Sequence, residues 1–230
     1  MTAPPVTTSS KKPPNVVEVD AWKDSKDAIE TPPDTRIHMA DLPEENGQSP
    51  LSVAAMNGHE RTVRALLATG QVDINMRDQG GSTPLWWAAR EGHEEVVVSL
   101  MAMKGIDANA KGGRNGTSPL AIASEYGHEG VVKVLLHAKR VDEDSRDEEG
   151  DTPLSVAAVG GQIGVVETLL ATEKVDATTQ NRWGQTALSL AAANGHEGVV
   201  KALLAAMGVA GDSQERMRTA PVETAAQNVR

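Results

Sequence analysis

The feature that most constrains this chain is its period. The triplets Ser49-Pro50-Leu51, Thr83-Pro84-Leu85, Ser118-Pro119-Leu120, Thr152-Pro153-Leu154 and Thr186-Ala187-Leu188 follow one another at intervals of 34, 35, 34 and 34 residues. A pair of small residues comes next in each copy: Ala54-Ala55, Ala88-Ala89, Ala123-Ser124, Ala157-Ala158 and Ala191-Ala192. Two variable residues later stands Gly58, Gly92, Gly127, Gly161 or Gly195. His follows in four copies (His59, His93, His128, His196), and Gln162 takes its place in the fourth. Then Val63, Leu66 and Leu67 recur as Val97, Leu100 and Met101, and so on down the chain. Self-similarity at a fixed period of this length marks an array of supersecondary units.

Each copy reads as helix, turn, helix and hairpin. Ser or Thr before Pro is an N-cap followed by a residue whose missing N–H costs nothing at N1. The glycine stands where a short helix must end in a left-handed turn. The second helix carries its apolar residues at i, i+3 and i+4. After it come segments such as Val72-Asp73-Ile74-Asn75 and Asp147-Glu148-Glu149-Gly150, which is turn chemistry. Helices of roughly 8 to 10 residues are marginal alone in water, so neighbouring copies must supply the missing core.

Composition agrees with thin, closely stacked elements. The chain is 39% hydrophobic but has no Phe, one Tyr and four Trp, so Ala, Val and Leu must fill the interior. The absence of Cys excludes disulfides, a thiol nucleophile and cysteine-ligated metal, and it fits a reducing compartment. No run approaches the ~18 apolar residues of a membrane span, and the N-terminus has no apolar signal region. The net charge is −10, and residues 37–212 hold 14 basic and 24 acidic side chains. Such a surface repels phosphate, which argues against nucleic acid and anionic lipid and admits a basic protein partner.

The motif D-x-x-G-x-T-P-L…A-A-x-x-G-H…V-V-x-x-L-L, over about residues 41–208, resembles the ankyrin repeat family. The resemblance implies an all-α solenoid of helix-turn-helix units with β-hairpin or β-turn fingers. Its domain spans 37–212, with five repeats at about 45–77, 78–111, 112–146, 147–180 and 181–212. It further implies protein binding on a concave surface. Ser52, Ser155 and Ser189, the long Val-Asp spacer and the frequent Gly-His-Glu-x-Val-Val are similar to arrays in fungal signalling proteins. Ala187 in place of Pro, Ser124 in place of Ala and an extra residue near Lys111-Gly112-Gly113 depart from the pattern, and they question the fifth repeat's rigidity and the third hairpin's shape.

The flanks differ in kind. Residues 1–36 hold half of the 12 prolines and read as a disordered arm, with a capping helix over about 20–30 that docks Trp22 and Ile29 on the first repeat. Val16-Val17-Glu18-Val19-Asp20 resembles the hydrophobic-acidic motif that adds a strand to the ubiquitin-like modifier SUMO, set against a chance run of valines. Residues 213–230 read as a polar tail.

Catalytic signals do not assemble. His-Glu-x-x occurs four times, but a zinc site on one helical face needs His at i+4, where Val63, Val97, Val132 and Val200 stand. These histidines are expected to bond backbone at the inter-helix turn. No phosphate loop, dinucleotide fingerprint or G-x-S-x-G elbow is present. No enzyme activity, cofactor or metal is expected.

Family geometry places the hairpin tips and the two residues after each Ala pair on the concave surface. The candidate partner-binding residues are Trp86, Arg90 and Glu91 in the second repeat and Arg114 and Tyr126 in the third. Glu148, Glu149 and Asp151 follow in the fourth, and Arg182 and Trp183 in the fifth. Trp87 takes the slot of Val53, Ile122, Val156 and Leu190 and is expected in the core. Trp86 takes the slot of Ser52, Ala121, Ser155 and Ser189, so it is expected half exposed as a binding anchor. Asp142, Glu143, Asp144, Asp147, Glu148, Glu149 and Asp151 form an acidic finger that would steer a basic partner. The expectation is therefore a monomeric, non-catalytic interaction scaffold in the cytoplasm or nucleus. The alternative is a regulatory or sensor fragment of a larger signalling protein.

Overall fold

A computed structural model describes residues 47–208, apart from residue 173. The expected arm, its capping helix, the Val16–Asp20 run, Glu45, Asn46 and the tail lie outside the described residues. Ten α-helices follow in chain order: α1 Pro50–Met56, α2 Glu60–Ala68, α3 Pro84–Glu91, α4 Glu94–Met101, α5 Pro119–Glu125, α6 Glu129–Leu136, α7 Pro153–Val159, α8 Ile163–Leu170, α9 Ala187–Ala193 and α10 Glu197–Ala206. The first helices of successive pairs stack in one row, α1 to α9, and the second helices in another, α2 to α10. Each pair also packs internally. The result is an all-α repeat solenoid. Among the described residues the only β features outside named strands are the isolated bridges Gly112–Thr117 and Gln180–Thr186, so the fingers are mostly turns. No helix of the described residues is long and apolar enough to cross a membrane.

The caps explain where the first-row helices begin. The hydroxyls of Ser49, Thr83, Ser118, Thr152 and Thr186 each accept the N–H three residues on. Proline follows in four cases. At α9, Ala187 replaces it, yet Thr186 still caps, and the Ser189 hydroxyl accepts the Thr186 N–H in return to complete a capping box. The start of that helix is therefore intact without the proline.

Two apolar rows fill the core. Leu51, Leu85, Leu120 and Leu154 lie in the first row, and Val63, Val97, Val132 and Val166 in the second, each at most 1% exposed. Burying one such leucine is worth about 1.5–3 kcal/mol. Between them Ala55, Ala88, Ala89, Ala123, Ala157 and Ala191 are fully buried. A larger side chain there would push the helices apart, which is why a chain without Phe can still close its core.

Histidine joins one pair to the next. Nε2 of His93 lies 3.0 Å from the Met56 carbonyl, Nε2 of His128 is 2.9 Å from that of Arg90, and Nε2 of His196 is 2.8 Å from that of Val159. Gln162 does the same toward the Glu125 carbonyl at 3.3 Å. The backbone role expected of these histidines is present, but the partner carbonyl belongs to the preceding pair. Gly92 shows why glycine precedes the turn: its φ is +78°, and a Cβ would meet Nδ1 of His128 at 2.5 Å.

The fingers are joined in the same manner. Asp78 Oδ1 accepts the N–H groups of Gly80 and Ser82 at 2.9 and 2.8 Å. Asp147 and Asn181 close their fingers with the same pair of bonds. At the tips, the N–H of Glu148 donates to the Asn115 carbonyl and that of Arg182 to the Glu149 carbonyl. At the bases, Arg77 reaches the Lys111 carbonyl, Lys111 that of Arg146, and Arg146 that of Gln180.

Candidate functional site

The two tryptophans exchange the places their slots predict. Trp86 is only 5% exposed, and its indole N–H donates to the carbonyl and hydroxyl of Thr117 at 3.1 and 3.2 Å. It is therefore not the half-exposed anchor that comparison with Ser52, Ser155 and Ser189 predicts. The cause lies in the comparison. Ser52 and Ser155 are 1% and 4% exposed, because the third helical residue packs under the N-cap hydroxyl. Serine at this slot is a capping partner, buried wherever a following repeat covers it and exposed only at Ser189 in the last copy. The signal was present in the Ser/Thr-x-x-Ser spacing.

Trp87, expected in the core, is instead half-buried and faces the hollow between the fingers and α3. Its indole N–H donates to Asp78 Oδ2 at 2.8 Å. Its ring meets that of Trp86 edge to face at 5.1 Å between centroids. The Arg90 guanidinium lies 5.4 Å from the Trp87 centroid and 5.4 Å from the Tyr126 centroid. Tyr126, 47% exposed, stacks in turn on His128 with ring planes 9° apart. Trp87, Arg90, Tyr126 and His128 thus form a continuous stack from α3 across to the turn after α5. Cation–π contacts of this kind contribute about 0.5–1 kcal/mol each at exposed sites. Arg90 also pairs with exposed Glu91 at 2.6 Å, so its guanidinium is held on three sides.

An open hollow of about 410 Å³ lies beside this stack. Trp86 and Trp87 form its floor, and Arg90, Arg114, Asp78 and Gln48 stand around it. Gly113 fits the extra residue near 111–113 into the fold. It follows Gly112, which takes the place of Asp78, Asp147 and Asn181: the Gly112 N–H donates to the Thr117 carbonyl as theirs do to Ser82, Asp151 and Gln185, so the extra residue lies in the tip. Gly113 has φ of +71°, and a Cβ there would meet Trp86 Cζ2 at 2.8 Å. The third finger thus has no closing carboxylate, and its bare tip backbone lies against the indole. Ser82 and Thr117 are buried at 2% and 5% exposure: Ser82 Oγ accepts the Gly113 N–H, and Thr117 receives Trp86.

The acidic finger divides into structural and free acids. Glu143 is 7% exposed and pairs with Lys174 at 2.7 Å. Asp142 accepts the Asp144 N–H, Asp144 accepts the Asp176 N–H, and Asp147 closes its own turn. Asp151, half-buried, accepts from Asn181. Glu148 and Glu149 are exposed and form no ion pair among the described residues. Burial pushes the carboxyls of Asp147 and Glu125 above their usual range. For Glu125 the Arg90 charge opposes that rise and Asp147 adds to it. On the fifth finger, Arg182 is exposed and Trp183 is 62% exposed.

Among the described residues, no group of three or more His, Asp or Glu side chains is placed to hold a metal ion. No curated protein matches the chain. The family model described as "Ankyrin repeats (3 copies)" matches residues 31–112, 96–181 and 120–215. Those stretches take in all ten helices, their capped starts and the glycine-histidine turns between them. With its period, its two helix rows and this match in agreement, the chain belongs to the ankyrin repeat family.

Proposed function

We propose that the chain is a non-catalytic scaffold of five repeats, similar to fungal-type arrays, that binds a partner protein on the face between the fingers and the first-row helices. The observation that carries this reading is the Trp87–Arg90–Tyr126 stack. In a chain with five aromatic residues besides histidine, two stand on one face around one arginine. Trp, Tyr and Arg are the side chains that most often dominate interface energetics. Their mutual packing holds them before a partner arrives, which lowers the ordering cost of association. Glu148, Glu149 and Trp183 extend the face along the later fingers, with Glu91, Arg114, Asp151 and Arg182 beside them.

A monomer acting inside the cell fits this reading, and the acidic surface disfavours nucleic acid and anionic lipid as partners. The test is an affinity pull-down that compares wild type with Trp87→Ala/Tyr126→Ala. Loss of the same partners from the variant supports the face. A partner set unchanged by the double substitution moves the site elsewhere.

A further inference from the structure

The face assigned to partner binding changes sign along its length. In the hollow, the Asp78 carboxylate keeps its charge but is fixed in place: Oδ1 accepts two backbone N–H groups and Oδ2 the Trp87 indole N–H. Arg90 is matched by Glu91. Arg114, exposed at the edge of the hollow, forms no ion pair among the described residues. Among the charged side chains that line the hollow, Arg90 and Arg114 outnumber Asp78, on a chain whose formal charge is −10. One finger further, Glu148 and Glu149 are exposed and equally unpaired. The two fingers are direct neighbours, because the Glu148 N–H donates to the Asn115 carbonyl at 2.9 Å.

Resting on the protein-binding reading above, we propose that the occupant is an extended, bipolar segment of a partner protein. An acidic side chain of that segment sits in the hollow beside Arg114, over the Trp87 ring. A basic side chain meets Glu148 and Glu149. Stacked helices lie at most about 10 Å apart, and an extended chain rises about 3.3 Å per residue. The two charges of the partner therefore stand about three residues apart. The volume of the hollow is within the range that seats a side chain with its flanking backbone. A uniformly basic partner, which the net charge alone favours, would place a cation against Arg114 and lose there what it gained at the finger.

The test is selection of 12-residue peptides from a random phage-displayed library on the full chain, on Arg114→Glu and on Glu148→Lys/Glu149→Lys. Each substitution is at an exposed position, and unchanged far-ultraviolet circular dichroism confirms the fold. The wild type is expected to enrich peptides with an acid and a base about three residues apart. Arg114→Glu should lose the acid and keep the base, and the double variant should do the reverse. A synthetic wild-type peptide should bind Arg114→Glu at least tenfold more weakly, and replacing its acid by Lys should restore binding. Uniformly basic peptides, or binding indifferent to Arg114→Glu, overturn the bipolar assignment and leave the binding face standing. No enrichment on wild type overturns the binding face itself.

Discussion

The Trp86 indole fills the space that a side chain at Gly113 would need: a Cβ on that glycine would lie 2.8 Å from Cζ2. The two residues belong to successive helix pairs, and each departs from the pattern of the other copies at its own position. Trp86 stands where Ser or Ala is usual, and Gly113 lies in a finger one residue longer than the others, beside Gly112, which takes the place of the closing Asp or Asn. The large ring and the bare backbone against it read as one change made in two places.

A side chain at position 113 should therefore be costly. Gly113→Asp forces a side chain into the indole and a non-glycine residue to φ of +71°. Overpacking costs about 1–3 kcal/mol, and the left-handed backbone adds about 1 kcal/mol. In urea unfolding the same change should cost clearly less in a Trp86→Ser background, although Trp86→Ser is itself destabilising through lost burial. Equal costs in both backgrounds would show that the two sites are not coupled.

The array was legible in the sequence because its signals are local. A cap, a proline, an alanine pair and a glycine each act within one turn of helix, and the five copies agree but for Ala187 and Ser124. The site was less legible because it depends on side-chain contacts between separate elements, 9 residues apart for Trp87 and Asp78 and 31 for Trp86 and Thr117. Nothing near Trp86 announces that Thr117 will take its indole N–H, or near Trp87 that Asp78 will turn that ring toward the hollow. The acidic run likewise shows seven acids but not which of them are consumed by backbone N–H groups and Lys174. Arg90 and Tyr126 are both named from the sequence, whereas the contact between them, and that with Trp87, needed the structure.

The histidine bridges predict a graded response at one position. His128→Ala leaves the Arg90 carbonyl without its partner and removes the ring beneath Tyr126. The loss should be about 1–3 kcal/mol, measured by chemical denaturation. His128→Gln should cost less, since Gln162 already bridges to the Glu125 carbonyl from the same slot. A glutamine variant as unstable as the alanine variant would assign the effect to ring packing rather than to the bond.

Asp144 occupies a slot in which the chain elsewhere uses asparagine. Asn75 accepts the Asp107 N–H and donates Nδ2 to the Gly105 carbonyl, both at 2.8 Å. Asn109 repeats this with the Asp142 N–H and the Arg140 carbonyl. Asp144 accepts the Asp176 N–H at 3.2 Å, but its buried Oδ1 has no partner. Burial pushes this carboxyl above its usual value. The Asp176 N–H opposes the rise, and the nearby Asp176, Asp142 and Glu143 carboxylates add to it. The proton is then held more tightly in the folded chain than in the unfolded one. The associated stability is complete below the unfolded value and is lost as pH rises through the folded value. Asp144→Asn supplies the missing donor without a charge, so it should stabilise the chain by about 1 kcal/mol at pH 7. The gain over wild type should shrink as pH falls toward 4. Thermal unfolding of both proteins across that range measures the difference, and a gain independent of pH would exclude the carboxylate as its cause.

The division of the acidic finger gives opposite expectations for neighbouring residues. Asp147 accepts the N–H groups of Glu149 and Asp151, so Asp147→Ala should open the turn and cost about 1–2 kcal/mol. Glu148→Gln/Glu149→Gln removes two exposed like charges that bond nothing among the described residues, and it should leave stability within about 0.5 kcal/mol. Its effect should appear in association instead. Stopped-flow binding of a peptide selected on the wild type should show a slower on-rate for the double variant and a weaker dependence on salt, with the off-rate changed less. Stability lost at 148 and 149 but not at 147 would reverse these assignments and make the tip, rather than the turn, the structural part of the finger.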